Sequence, residues 1–279
     1  MGASTTTTGL SRGETHALVT GASSGIGREY ATALRRRGRK LVLVARRADR
    51  LNELAEQLGG PEQAIVLPAD LAKPEGVEEL LEALLRRGLV VELLVNNAGL
   101  GHTGRFAEQP EDVVTGMIDL NVRALVALTR GLLPGMVARR GGAIVNVAST
   151  ASFQPVPYLT VYAATKAFVL SFTEGLAAEL VGTGVRVQVL CPGPTATEFH
   201  EVAGTDGAIL ARKMPSMSAA EVVALSLHGL DRGRLRVVTG LANRALPTLQ
   251  RFLPNALVRR VAGELYRPRG GSKEKGHDI

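Results

Sequence analysis

Tyr162 and Lys166 stand four residues apart. On a helix, that spacing puts both side chains on one face. A free tyrosine ionises near pH ~10 and is protonated at neutral pH. A nearby ammonium favours the phenolate and lowers that value. Tyr162 can then take a proton from an alcohol or give one to a carbonyl oxygen. Ser149, 13 residues upstream, carries a hydroxyl able to hold and polarise the same oxygen. Taken singly, these residues have plainer readings. Tyr162 can be a partly buried helix tyrosine and Lys166 a solvated lysine. Ser149 can cap a helix, and Asn121 can be a buried amide serving its own helix.

A second group of residues suits an anion. Thr20-Gly21-Ala22-Ser23-Ser24-Gly25-Ile26-Gly27 places glycines at 21, 25 and 27, a G-x-x-x-G-x-G spacing. Glycine is needed where the chain turns sharply and where backbone must approach a pyrophosphate. The helix predicted next, 28–37, offers free N–H groups and the positive end of its dipole. A lone glycine-rich turn is a weak signal, but this one opens the first strand–helix unit of the chain, where a nucleotide site belongs. After the second strand come Ala45, Arg46 and Arg47, where a carboxylate would bond ribose hydroxyls and repel a 2′-phosphate. An arginine fork holds a phosphate instead, which favours NADP over NAD. The plainer reading is two arginines opening a solvated helix. Asp49 is expected to cap the helix that starts near Arg50.

These residues need elements to hold them. Short apolar runs at 17–20, 40–45, 64–68, 93–96, 143–148, 186–190 and 235–238 read as strands. Most are continuously apolar, as in strands buried on both faces of a parallel sheet. Helical spacing lies between them. In 74–87, Val77, Leu80, Leu81, Leu84 and Leu85 form one stripe opposite Glu75, Glu78, Glu79 and Glu82. Alternating strands and helices predict a single α/β domain: a Rossmann-type, doubly wound, mainly parallel seven-stranded sheet with helices on both faces. The expected division is a disordered head at 1–14, the catalytic domain at 15–240, an amphipathic basic extension at 241–266 and a disordered tail at 267–279.

On these elements the chain resembles the short-chain dehydrogenase/reductase family from residue 17 to about 240. The glycine loop is that family's own variant. Asn96-Asn97-Ala98-Gly99 is similar to its NNAG motif, and Tyr162 with Lys166 to its Y-x-x-x-K, with Ser149 at the family's spacing. The wording around Tyr162 and in Cys191-Pro192-Gly193-Pro194-Thr195-Ala196-Thr197-Glu198-Phe199 resembles bacterial members described only as general NADP-type oxidoreductases. The resemblance implies a tetrad of Asn121, Ser149, Tyr162 and Lys166. It implies that Lys166 bonds the nicotinamide ribose, and that Asn121 holds a water linking Lys166 to solvent. The positive ring of the oxidised cofactor would further favour the phenolate. The implied cofactor contacts are Gly21, Ser23, Ser24, Gly25, Ile26 and Gly27 on the phosphates, with Arg46 and Arg47 beside them. Asp70 and Leu71 fall at the adenine. Asn97, Ala98, Gly99, Tyr162, Lys166, Pro192, Gly193, Thr195 and Thr197 complete the set. It also implies a homodimer or homotetramer through the helices carrying Asn121 and Tyr162.

Ligands of such folds bind at the carboxyl ends of the strands. Segments 100–106, 150–159 and 195–217 should therefore meet substrate. Phe153, Pro155, Val156 and Tyr158, with Phe199, Ile209, Leu210, Met214 and Met217, make that side apolar. A small hydrophobic ketone or secondary alcohol is the expected substrate. The long 195–217 segment has the length of a lid. His102 and His200 read as ordinary loop residues. Cys191, the only cysteine, reads as a buried inert thiol.

Composition closes off other classes. One cysteine permits no intrachain disulfide framework. No Cys/His/Asp spacing resembles a metal site. Neither a secretory leader nor a membrane span is legible, so a cytoplasmic enzyme is expected. The net charge of +7 invites nucleic acid, but its placement argues otherwise. Residues 1–231 hold 22 Lys+Arg against 23 Asp+Glu, and 232–279 hold 11 against 3. Aromatic residues are only 4%, with no Trp, which leaves base stacking little to use. The basic end carries Leu249, Leu253, Leu257, Val261 and Leu265 at four-residue intervals. That stripe suits packing on the fold or on a sister subunit, or peripheral membrane contact through 245–266. An NADPH-binding regulator or scaffold without turnover is the competing functional class.

Overall fold

The computed structural model describes residues 14–199, 203–204, 216–240, 243 and 255–267. The expected head, the tail beyond 267 and His200, Ile209, Leu210, Met214, Leu249 and Leu253 lie outside the described residues. Seven strands form one sheet: β1 (Thr15–Thr20), β2 (Lys40–Ala45), β3 (Ala64–Pro68), β4 (Val90–Asn96), β5 (Gly142–Val147), β6 (Val185–Cys191) and, last in the chain, Arg236–Val238. The last strand is edge to β6, and the order across the sheet is β3-β2-β1-β4-β5-β6 followed by it. Every pairing is parallel. This is the Rossmann-type doubly wound sheet expected from the runs, with the order reversing between β1 and β4.

Both faces are covered, which is why the strands are apolar throughout. On one face Leu41, Leu43, Val95 and Val145 pack with Tyr30 and Leu34 of α1 (Gly25–Arg36), Leu51 and Leu54 of α2 (Ala48–Gln57), and Val222 and Leu227 of α7 (Ala219–Asp231). On the other, Leu18, Val42, Leu94 and Ile144 pack with Val77, Leu80 and Leu84 of α3 (Pro74–Arg86). Leu128 and Leu176 join them from two further helices, α5 (Leu125–Ala138) and α6 (Thr160–Glu179). Between α4 (Glu111–Ile118) and α5 the helix makes a π turn over Asp119–Ala124.

Two local expectations are corrected, and one segment gains a feature the sequence does not show. Leu85 is 82% exposed, because it points about 100° round the helix from Leu84. Asp49 is not a cap: α2 begins at Ala48, so Asp49 sits inside the first turn, favourable to the helix dipole. The 195–217 segment is pinned at its base, where Thr195–Ala196 pairs with Met217–Ser218. Two-residue strands leave no periodicity to read.

Polar side chains cross the buried centre of the sheet. Asn96 Nδ2 donates to Asn146 Oδ1 at 2.9 Å and to Thr129 Oγ1 at 3.1 Å. Asn146 Nδ2 donates to Thr173 Oγ1 at 3.0 Å. These bonds tie β4 and β5 to α5 and α6 within a low-dielectric interior. Asn146→Leu removes the acceptor of Asn96 and the donor to Thr173. It should cost about 1–3 kcal/mol of stability, read as a lower urea midpoint at unchanged slope.

Candidate active site

The turn after β1 is built around one close approach. A Cβ at Gly27 would lie 2.2 Å from the Gly21 carbonyl oxygen, so no side chain fits there. Gly21 itself adopts φ +65°, a region glycine occupies without strain. Thr20 Oγ1 accepts the backbone N–H groups of Asn97 at 3.0 Å and Ala98 at 2.9 Å. Asn97 Nδ2 returns a bond to the Thr20 carbonyl at 2.9 Å. The two turns, after β1 and after β4, are thus stitched together. Ser24 precedes α1 without making a side-chain cap, and the first turn of α1 holds no acid. Its N–H groups therefore remain available to an anion, which fits a dinucleotide's phosphates.

Beside this loop, Arg47 Nη2 donates to Ser23 Oγ at 3.2 Å and to Ser24 Oγ at 3.4 Å. Arg46 is exposed next to it. Arg50 lines the same cavity of about 330 Å³ with Ser23, Ser24, Gly25, Arg28, Glu53 and Glu198. Reading the sequence missed Arg50 as a site residue, though it lies three positions past Arg47 on one helix face. Asp70 Oδ1 accepts from Ala72 N at 3.2 Å, shaping the turn after β3. Leu71 commits its side chain to the core. Thr197 crosses directly over Gly25, and Gly193 N donates to Thr239 Oγ1 at 3.2 Å. Asn243 Nδ2 braces the same turn through the Thr239 carbonyl.

The four remaining residues converge at the carboxyl end of β5. Lys166 is 5% exposed and donates from Nζ to the Val147 carbonyl at 2.9 Å. Its Nζ lies 5.8 Å from the centre of the Tyr162 ring. Ser149 accepts from Ala151 N at 3.1 Å and caps the short turn Thr150–Phe153. Its hydroxyl also favours the Tyr162 phenolate. The capping and polarising readings of Ser149 are therefore compatible. Asn121 sits in the π turn, with Oδ1 accepting from Leu100 N at 2.8 Å. Its Nδ2 donates to the Leu100 carbonyl at 2.9 Å and to Thr165 Oγ1 at 3.0 Å. A Cβ on Gly99 would reach both Asn121 Oδ1, at 3.2 Å, and Lys166 Nζ, at 3.3 Å. Glycine keeps that gap open.

Burial dominates the proton affinities here. It raises Tyr162 to about 12, the reverse of the lowering expected from Lys166, although the Ser149 hydroxyl opposes it. It lowers Lys166 to about 8, because a dry site disfavours each charged form. A phenolate and an ammonium formed together would offset one another's desolvation. Cys191 is buried, and burial raises its thiol to about 12, far from a thiolate nucleophile.

The surroundings of Tyr162 are apolar. Met117, Ala151, Val156 and Leu159 pack about it, with Leu100 and Phe199 at the edge. The Phe199 ring lies 5.4 Å from that of Tyr162. Tyr266, at the end of the C-terminal helix α8 (Asn255–Tyr266), joins the same cluster, and reading the sequence had not singled it out. Ala262 is buried, whereas Leu257 and Val261 of the expected stripe are half exposed. Phe153 is corrected: it packs with Cys191 and Val238 and lies under Arg236, away from Tyr162.

A family model described as short chain dehydrogenase matches residues 15–207. The NADP-dependent 3-hydroxy acid dehydrogenase YdfG of Escherichia coli (strain K12) is 40% identical over 195 residues, covering 68% of this chain and 77% of that one. A short-chain dehydrogenase from Sphingobium yanoikuyae, solved in complex with NADPH, superposes with a TM-score of 0.76 at 36% identity. That match covers 94% of this chain and 99% of the other. The bulky-bulky ketone specific alcohol dehydrogenase from Comamonas testosteroni gives 0.71 at 33%, covering 87% and 96%.

The lowered Lys166 value has a pH signature. Between about 8 and its ordinary 10.5, the folded chain binds fewer protons at this site than the unfolded chain. The burial cost is therefore carried in full below pH 8 and relieved as pH rises. Lys166→Met does not titrate. The stability difference between Lys166→Met and the parent should shift in the parent's favour from pH 7.5 to pH 9.5, measured by urea unfolding. A pH-independent difference would contradict the lowered value.

Proposed function

The chain belongs to the short-chain dehydrogenase/reductase family of oxidoreductases, and from that premise we propose that it is an NADPH-preferring reductase of apolar ketones. The observation that carries this reading is the buried Tyr162–Lys166 pair within an apolar cluster, with the Ser149 hydroxyl favouring the Tyr162 phenolate. The glycine loop 21–27 would hold the pyrophosphate and Arg46 and Arg47 the 2′-phosphate. Asp70 and Leu71 would meet the adenine end. Asn97, Ala98, Gly99, Lys166, Pro192, Gly193, Thr195 and Thr197 would hold the nicotinamide end. When bound, the reduced nicotinamide supplies the hydride.

The chain's own residues do the rest. Ser149 Oγ donates to the carbonyl oxygen and polarises it. Tyr162 gives that oxygen its proton as the carbonyl carbon becomes tetrahedral, leaving a phenolate facing the Lys166 ammonium. Asn121 clamps Leu100 and Thr165, and a water beside Gly99 would return the proton through Lys166. Alcohol oxidation is the reverse path. A presence of all four groups in one buried cluster favours turnover over a cofactor-binding scaffold.

Several features support the wider reading. The apolar wall of Met117, Val156, Leu159, Phe199 and Tyr266 suits a hydrophobic substrate. Exposed Ile118 and Phe168, on the helices bearing Asn121 and Tyr162, suit a homodimer or homotetramer. Ala262 and Tyr266 rest on the catalytic body, which favours docking of the basic extension on its own fold over membrane contact. Among the described residues no helix is long and apolar enough to cross a membrane, which suits the cytoplasmic placement.

NADPH oxidation should be followed over apolar ketones and small keto acids. Apolar ketones are expected to turn over faster; activity confined to small polar keto acids would refute the substrate class. Tyr162→Phe should lower kcat by about 10²–10⁴-fold with NADPH still bound, and substantial residual rate would mean another acid serves. Arg46→Asp and Arg47→Asp should weaken NADPH more than NADH. Equal losses would overturn the 2′-phosphate assignment.

A further inference from the structure

The segment leaving β6 touches both halves of the site through two adjacent residues. After Thr197 passes over Gly25, Glu198 turns to Arg47, just before α2, and to Arg50 within it. Both of its carboxylate oxygens lie 3.0 Å from Arg50 Nη1, and Oε2 lies 3.7 Å from Arg47 Nη1. Arg47 is the same side chain that bonds the Ser23 and Ser24 hydroxyls. Glu198 thus lines the cavity beside the phosphate loop, and Glu53 stands there too. Carboxylates are a poor lining for a cavity that receives a phosphate, unless one of them already plays the anion. Phe199 follows at once and lies over Tyr162. It fits only because Gly101 has no Cβ, which would stand 2.6 Å from Phe199 Cζ.

We propose that Glu198 is a specificity-determining residue of the cofactor site, an internal carboxylate that competes with the 2′-phosphate for Arg47 and Arg50. This rests on the NADPH reading above. A phosphate brings more charge than a carboxylate and pairs with arginine bidentately, so it displaces Glu198 from the arginines. A cofactor without that phosphate leaves the pair intact. Because Glu198 and Phe199 are neighbours, displacement also moves the ring off Tyr162 and opens the substrate side. The pair is half exposed, so its strength is that of a surface ion pair, enough for a several-fold effect and no more.

The test is direct binding of NADPH, NADH, adenosine 2′,5′-bisphosphate and AMP to the parent, Glu198→Gln and Arg47→Ala. Glu198→Gln should tighten NADPH and the bisphosphate about two- to five-fold. NADH and AMP should change by less than about two-fold. In turnover, Glu198→Gln should lower the ketone KM when NADH is the donor and leave it unchanged with NADPH. Weaker NADPH binding by Glu198→Gln, or equal effects on both cofactors, overturns the proposal. If Arg47→Ala meanwhile weakens NADPH selectively, the phosphate assignment stands and only the competitor falls. If Arg47→Ala affects both cofactors alike, the phosphate assignment itself has failed.

Discussion

A charged ammonium is buried at the end of β5, and much of the surrounding structure serves to hold it there. Lys166 Nζ donates to the Val147 carbonyl. That bond forms only if the last residue of the strand meets the first turns of α6 at fixed distance. Ser152 Oγ donates to the Lys166 carbonyl at 2.8 Å and locks the helix backbone to the turn after β5. Asn146 and Thr173 join the same strand and helix deeper in the core. Asn121, set by the π turn, holds Thr165 next to Lys166. Such turns recur at functional sites because they re-aim a side chain without ending the helix. Each bond satisfies a polar group that would otherwise be orphaned in a dry interior, so position and stability are one requirement.

The proposed cofactor side follows a different logic. Its anchors are half exposed and its attraction is electrostatic: helix N–H groups, Ser23, Ser24 and the arginines of α2. Glu198 introduces the opposite sign into that field. On that reading, the chain places a dry proton-transfer site next to a wet anion site, with residues 197–199 touching both. The high pI, near 10.0, bears on neither, since the excess of positive charge falls after residue 231.

Much of this was legible in residue order. Continuous runs such as Leu41-Val42-Leu43-Val44 marked strands buried on two faces, and β2 and β3 begin and end where those runs do. The misreadings share a cause, because each needed a direction rather than a spacing. Leu85 fits the apolar stripe by counting but lies at its edge, where no neighbour covers it. Phe153 belongs to the right segment and points to Arg236 instead of Tyr162. Arg50 looked like the start of a helix, yet α2 had already begun and aims it into the cavity beside the glycine loop. Tyr266 lies 104 positions after Tyr162 and gave no periodic sign of its place beside it.

The sequence by itself determined the sheet and the glycine turn, and named the groups proposed to move a proton, because these depend on local periodicity and residue type. It also located the basic charge at one end of the chain. The tertiary structure alone decided which groups share a dry space and which carboxylate meets which arginine. It decided, too, that the end of α8 closes on Tyr162. Those outcomes depend on desolvation and on contacts between residues far apart in the chain, and neither is written in local order.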